Sequence, residues 1–128
     1  MEMFEIIDLS NNRILQVAEN DVSEKLDYFQ AKKECEELGE GWRLPTKTDL
    51  KLMYSQLYKK GKGNFQVGRW YWFNYIELEG QTENDTIQWY FIPGGEDKED
   101  KEWGCGLNSW RFKLSARAVR DRIYKKGN

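Results

Sequence analysis

The stretch Trp42-Arg43-Leu44-Pro45-Thr46 separates two helical patterns and decides how the chain turns between them. Pro45 disfavours helical geometry at Leu44, because the proline ring crowds the residue before it. Thr46 is a preferred N-cap, and Asp49 stands at the return position of a capping box. The stretch therefore predicts the end of one helix, a tight corner and the start of a second helix.

Apolar residues at three- and four-residue steps predict a helix on each side of the corner. The first pattern covers residues 28–38, with Asp27 as its cap, Gln30 in the box position and Gly39 at its end. The second covers residues 47–59. The apolar positions are Tyr28, Ala31, Cys35 and Leu38 in the first helix, and Leu50, Met53, Tyr54, Leu57 and Tyr58 in the second.

Short apolar runs bounded by turn residues predict the strands. The runs Phe4–Leu9 and Ile14–Ala18 flank the turn cluster Ser10-Asn11-Asn12 and predict an N-terminal hairpin. Three later runs predict further strands, at residues 70–76, 86–92 and 115–123. In the last of these we expect the basic side chains to alternate outward.

The corner and its surroundings resemble the Lcl C-terminal domain family of bacteria, whose fold is C-type-lectin-like. The resemblance covers roughly residues 26–120 and rests on Ala31-x3-Cys35-x2-Leu38-Gly39, Gly41-Trp42-Arg43-Leu44-Pro45-Thr46-x2-Asp49-Leu50, Met53-Tyr54, Tyr71-Trp72-x4-Glu77, Gln88-Trp89-Tyr90-Phe91 and Arg117-Ala118-Val119-Arg120. It implies an α+β, C-type-lectin-like fold with two short helices packed on small antiparallel sheets. The last strand is expected to lie beside the first, so that the termini are adjacent. The length fits one domain, residues 1–128.

The same resemblance implies that Tyr71, Trp72, Trp89 and Phe91 fill the core. Arg43 lies beside an apolar corner, where an unpaired charge would be costly. We therefore expect its guanidinium to reach a carboxylate or backbone carbonyls near the end of the strand at residues 72–77.

Charge and hydropathy exclude several partners. The chain has 20 basic and 22 acidic residues and a net charge of -2, so no global field attracts nucleic acid or an anionic membrane. No window approaches the roughly 20 apolar residues of a membrane span, and the amino terminus lacks the basic start and apolar run of a secretory signal. We expect a cytoplasmic protein that does not bind membranes, and the charge balance disfavours nucleic acid as a partner.

The two cysteines are expected to be reduced. In the resembled family the first-helix cysteine commonly pairs with one in the last strand, but that position is Ala118 here. Cys35 lies on the apolar helix face and is interpreted as a small buried residue. Cys105 lies between glycines and is interpreted as a free, partly exposed thiol, although a bridge between Cys35 and Cys105 stays open.

Catalytic and metal chemistry find little support. The chain has no histidine, which removes the commonest general base and zinc ligand. The mixed-charge segment at residues 96–102 lacks the spacing of a calcium loop, and the calcium-binding triplets of sugar-binding C-type lectins are absent. We therefore expect no cofactor or metal.

The leading interpretation is a non-catalytic, calcium-independent binding module. Residues 43–49 are also similar to formylglycine-generating enzymes, which need two reactive cysteines, whereas here only Cys105 lies in the matching region. An oxidoreductase of that type is one alternative, and a structural subunit of an assembly is another.

The predicted binding surface consists of residues 81–85 and 94–111, an irregular region rich in glycine and aromatic residues. Its leading contacts are Trp103, Asn108, Trp110 and Arg111. Either tryptophan could instead anchor its loop in the core. Protein and polysaccharide both stay open as ligands.

Overall fold

The computed structural model describes residues 2–22, 24–65, 71–74 and 113–122, and the backbone of residues 87–90 and 104–107. The strands are β1 (Met3–Asp8), β2 (Arg13–Ala18), β3 (Ile87–Tyr90), β4 (Gly104–Leu107) and β5 (Val119–Asp121), and the helices are α1 (Tyr28–Glu36) and α2 (Lys47–Gln56). Short 3-10 turns follow β1 and α2, at Leu9–Asn11 and Tyr58–Lys60. The α+β class is thus confirmed.

The N-terminal hairpin forms as predicted. β1 and β2 pair antiparallel over their full lengths, from Met3 opposite Ala18 to Asp8 opposite Arg13. The turn is closed by the Asp8 carboxylate, which accepts a hydrogen bond from the Asn11 amide at 3.3 Å. Asn12 then adopts a left-handed backbone with φ of 48°, a conformation that asparagine tolerates better than most residues.

The closing strand does not lie beside the first strand. β5 pairs antiparallel with β2, so the sheet order is β1-β2-β5 and the expected adjacency of the terminal strands is wrong. The hairpin uses only one edge of β2, whose other edge remains available to β5. The outer edge of β1 instead contacts Gln56 at the end of α2.

Both predicted capping boxes are present. Asp27 and Gln30 exchange side-chain and backbone hydrogen bonds at the start of α1, and Thr46 and Asp49 do the same at the start of α2. The helices are shorter than predicted. Since α1 ends before residue 38, the helical step no longer places Leu38 over the core, and its side chain is 42% exposed. No helix in the described part of the chain is both long and apolar enough to cross a membrane.

The core lies between the helices and the three-stranded sheet. It contains Leu15, Val17, Ala31, Leu50, Met53 and Val119, together with the predicted core residues Tyr28, Cys35, Tyr71 and Trp72. The Tyr28 and Trp72 rings meet edge to face, with centroids 5.5 Å apart, and the Trp72 indole donates to the Leu26 carbonyl at 2.7 Å. The side chains of Trp89 and Phe91 lie outside the described residues.

A second antiparallel pair joins β3 to β4, with Ile87 opposite Leu107 and Tyr90 opposite Gly104. β3 confirms the strand predicted at residues 86–92. The prediction that residues 94–111 are irregular is wrong at β4. Glycine has low intrinsic strand preference, but its backbone donor and acceptor can still pair with a neighbouring strand, and such pairing outweighs local preference.

Candidate functional site

An open cavity of about 660 Å³ lies where the chain leaves β2. Among the described residues, the segment Ala18–Val22 forms one wall, and Glu2, Glu34 and Leu38 complete the lining. We call this cavity the acidic pocket. Its described lining combines four carboxylic acids with apolar surface from alanine, valine and leucine.

The wall of the acidic pocket is fixed by backbone hydrogen bonds to the chain that precedes β5. The Ala18 amide donates to the Ala118 carbonyl at 3.0 Å, and the Val22 amide donates to the Ala116 carbonyl at 2.9 Å. These bonds lie on either side of Arg117, whose side chain itself contacts Ala18 and Asp21 of the wall. The two bonds anchor both ends of the wall to the chain that precedes β5.

Arg117 is completely buried and holds the wall from within. Its Nε and Nη2 atoms lie 3.0 and 2.8 Å from Oδ1 of Asp21, and Nη1 donates to the Ala18 carbonyl at 3.2 Å. Further donors reach the carbonyls of Gly63 at 2.5 Å and Asn64 at 3.1 Å. These partners use all the N–H groups that a guanidinium offers.

The neighbours of Arg117 complete its enclosure. The Phe65 ring lies 4.4 Å from the guanidinium carbon, a cation–π contact. Gly63 has a φ of 97°, and a Cβ there would overlap the Phe65 ring, so glycine is required at this position. The prediction that basic residues near the chain end alternate outward is therefore wrong at Arg117, because buried carbonyls and a carboxylate need its donors.

The Asp21 carboxylate is neutralised on the inner side of the wall. It pairs with Arg117 and accepts a hydrogen bond from the Tyr71 hydroxyl at 2.9 Å. Its role is structural, since it connects the pocket wall to the core. The pocket's negative character then comes from the other three carboxylates, for which no ion pair exists within the described part of the chain.

Two of those carboxylates interact directly. The carboxyl groups of Glu2 and Glu19 lie close to each other, and hydrogen bonding and charge repulsion between them raise the pKa of Glu19. The third, Glu34, lies on α1 next to Cys35. Groupings of three or more potential ligands with metal-binding geometry are absent from the described residues. The chemistry of the pocket suits a cationic group attached to an apolar stem.

A separate group of charges joins the corner to the sheet. The Asp49 carboxylate is completely buried, and it lies 2.7 Å from Arg43 and 2.5 Å from Arg13. Both arginines also reach Asp121, at 3.3 and 2.7 Å, and Arg13 reaches Asp8 at 2.8 Å. We call these five residues the arginine–aspartate cluster.

The cluster confirms that Arg43 is paired, but the predicted place of its partner is wrong. Backbone hydrogen bonds in both directions between Arg43 and Val119 direct the arginine toward β5 and the start of α2. Its carbonyl partner is Leu44, at 3.2 Å. The groups expected near residues 72–77 are not among its described partners.

Burial opposes the ionisation of Asp49, but hydrogen bonds from Arg43, the Thr46 amide and Arg13 outweigh it and hold the pKa of Asp49 below its ordinary value. Hydrogen bonds from Asn11 and Arg13 likewise lower the pKa of Asp8. Both carboxylates are therefore charged at neutral pH. The cluster is an ionic joint between β1, β2, β5 and α2.

Cys35 carries a free thiol and is buried, as predicted. Burial, together with the nearby charges of Glu34 and Glu36, raises the pKa of this thiol to about 12. At neutral pH it remains protonated and is a poor nucleophile.

Trp103, Asn108, Trp110 and Arg111, the contacts predicted from the sequence, lie outside the described residues. Of the surface predicted at residues 81–85 and 94–111, only the backbone of β4 is described. That binding surface stays a prediction. The acidic pocket and its Arg117 support were missed, although alanines on both sides of Arg117 were a signal that its surroundings are tightly packed.

A scan against models of known protein families finds no match to this chain, and a search of curated proteins finds none either. The resemblance to the Lcl C-terminal domain family therefore rests on the sequence motifs alone.

Proposed function

We propose that this chain is a non-catalytic, calcium-independent binding module that carries its ligand-binding surface on a C-type-lectin-like scaffold. The observation that supports this function is the acidic pocket, an open cavity of about 660 Å³ whose wall is held by a completely buried arginine. A wall fixed before the ligand arrives loses little conformational entropy on binding.

The lining of the acidic pocket favours one of the two ligand classes that the sequence left open. Glu2, Glu19 and Glu34 attract positive charge, while Val22 and Leu38 offer apolar surface beside them. A lysine or arginine side chain has this combination, with a charged head on a hydrocarbon stem. We therefore propose a protein segment that presents a basic side chain, in preference to a polysaccharide.

Two features support a binding role over the formylglycine-generating alternative. That chemistry needs a pair of reactive thiols, and Cys35 is a buried thiol with a pKa of about 12. The chain also has no histidine to act as a general base. The side chains proposed to contact the ligand are carboxylates and apolar groups, which are suited to charge pairing and apolar contact.

The test is a binding screen of the full chain against basic peptides, acidic peptides, neutral glycans and native lysate. We expect basic peptides to bind, and the double variant Glu19→Gln/Glu34→Gln to bind them about tenfold more weakly, because two charge interactions at a surface are worth about 1–2 kcal/mol together. The control is Glu36→Gln, which removes a charge from the same helix but outside the pocket lining, where it pairs with Lys32 at 3.0 Å.

Circular dichroism first establishes that each variant is folded. Undiminished binding by the double variant would contradict the pocket as the site. A loss of glycan or protein binding in a folded Trp103→Ala/Trp110→Ala variant, with the pocket variant unaffected, would place the site on the loops predicted from the sequence instead.

A further inference from the structure

The three-stranded sheet has two edges, which differ in what covers their backbone hydrogen-bonding groups. Beyond β5, backbone hydrogen bonds of 2.9 Å in both directions join Arg43 to Val119, so the corner segment covers that edge. Among the described strands, β1 forms the other edge. An uncovered edge strand presents free amides and carbonyls that can pair with another strand.

The hydrogen-bond pattern identifies which groups of β1 face outward. The Ala18 amide bonds to Ala118, and the Arg122 amide bonds to Ile14, so the even-numbered residues of β2 face β5. Its odd-numbered residues must then face β1, because the two directions alternate along a strand. By the observed register, the β1 residues that bond to β2 are Phe4, Ile6 and Asp8, and the residues with outward backbone groups are Met3, Glu5 and Ile7.

One of the three outward positions is occupied by a side chain of α2. The Ile7 amide donates to Oε1 of Gln56 at 3.2 Å, and Nε2 of Gln56 donates to the Ile7 carbonyl at 2.6 Å. A carboxamide placed in this way makes the two hydrogen bonds that a residue of an added antiparallel strand would make. Gln56 therefore occupies the position of a strand partner.

We infer that Gln56 is a stopper that prevents β1 from pairing, edge to edge, with β1 of a second copy of this chain. The segment Met3-Phe4-Glu5-Ile6-Ile7 reads apolar, apolar, acidic, apolar, apolar in both directions. A two-fold symmetric interface places each residue opposite its mirror position in the segment. Antiparallel pairing centred on Glu5 therefore sets Met3 opposite Ile7 and Phe4 opposite Ile6, each pair twice.

The side chains of β1 are compatible with pairing to β1 of a second copy. Ile7 is 55% exposed in the single chain and gains an apolar neighbour on pairing. The two Glu5 carboxylates would meet at the centre, but each is held within its own sheet by Gln16 at 2.7 Å and Arg122 at 3.4 Å, which moderates their repulsion. What opposes the pairing is Gln56, which must leave Ile7 before a second strand can bind there.

Sedimentation velocity across a range of concentrations tests the stopper with Gln56→Ala and Gln56→Asn, whose side chains are too short to reach both Ile7 groups. The matched control is Ser55→Ala on the same helix, which leaves Ile7 untouched. We expect both Gln56 variants to dimerise at least about tenfold more tightly than wild type and Ser55→Ala, because each copy no longer gives up two hydrogen bonds on pairing. Folded Gln56 variants that associate no more than wild type would overturn the inference.

Glu5→Pro in the Gln56→Ala background tests whether β1 is the surface. The Glu5 amide faces outward, so proline there removes no bond to β2 but blocks an added strand. We expect this double variant to return to the wild-type association state, and continued dimerisation would overturn the inference. If the proline variant unfolds, amide hydrogen exchange of the wild type tests whether Gln56 closes the β1 edge. The Ile7 amide should be protected from exchange and the Glu5 amide should not. Equal protection of the two amides would contradict an edge closed by Gln56.

Discussion

Replacing Asp49 by asparagine should destabilise the protein strongly, because this carboxylate is the buried centre of the arginine–aspartate cluster. Asparagine keeps the size of the side chain and can still accept a hydrogen bond, but it removes the charge that faces Arg13 and Arg43 at 2.5 and 2.7 Å. The perturbation is therefore electrostatic, with little change in packing.

The size of the effect follows from burial. Hydrogen bonds to charged groups contribute about 1.5–3 kcal/mol each, and removing one partner of a buried ion pair costs about 3–5 kcal/mol. After the substitution, Arg13 and Arg43 still have Asp8 and Asp121 as partners and remain partly accessible to water. The expected loss of stability therefore lies near the lower end of the range for a broken buried ion pair. We predict a decrease of about 3 kcal/mol in the free energy of unfolding at neutral pH.

Urea denaturation of wild type, Asp49→Asn and Asp121→Asn measures this decrease. Asp121 contacts the same two arginines but its side chain is 55% exposed, so its loss should cost under about 1 kcal/mol. The lowered pKa of Asp49 also means that its contribution is present above the ordinary carboxyl pKa and is lost as the pH falls through the folded-state pKa. The stability difference between wild type and Asp49→Asn should therefore shrink in acid. Equal effects of the two substitutions at neutral pH would refute the assignment of Asp49 as the centre.

Three further outcomes follow from the described contacts. Arg117→Lys should lower the free energy of unfolding by about 3 kcal/mol in urea denaturation, since an ammonium group cannot serve Asp21 and three carbonyls together; a loss no larger than that of Arg120→Lys would contradict this. Cys35 should resist thiol reagents in the folded protein and react on unfolding, because burial raises its pKa to about 12; labelling by mass spectrometry checks it, and prompt native labelling of Cys35 would count against the buried thiol. The affinity for basic peptides should fall as the pH is lowered through the raised pKa of Glu19, because its protonation removes a charge from the pocket. In Glu19→Gln this part of the pH dependence should disappear, and an unchanged titration curve would show that Glu19 has no role in binding.

Local signals in the sequence were enough for the hairpin, both helix starts and the corner. Each depends on residues close together in the chain: Asp8 with Asn11, Asp27 with Gln30, and Thr46 with Asp49. Capping and turn preferences act over such short distances, so a single sequence reveals them.

The features that the sequence did not reveal depend on residues far apart in the chain. Arg117 is held by groups at positions 18, 21, 63 and 64, and Arg43 reaches Asp121 near the other end of the chain. A pattern of apolar spacing shows that such a charge needs a partner, but not which one. The position of β5 beside β2 and the pairing of β4 with β3 likewise arise from tertiary contacts that override local preference.

The most direct test of the proposed function is an NMR titration of the isotope-labelled full chain with a lysine-containing peptide, with the same peptide carrying glutamate in place of lysine as the control. Amide shifts report contact at each residue, so the titration both detects binding and locates it. We predict saturable shifts at Ala18–Val22, Glu34 and Leu38 with the lysine peptide only. Saturable shifts elsewhere, or none at these residues with any basic peptide, would contradict the acidic pocket as the binding site.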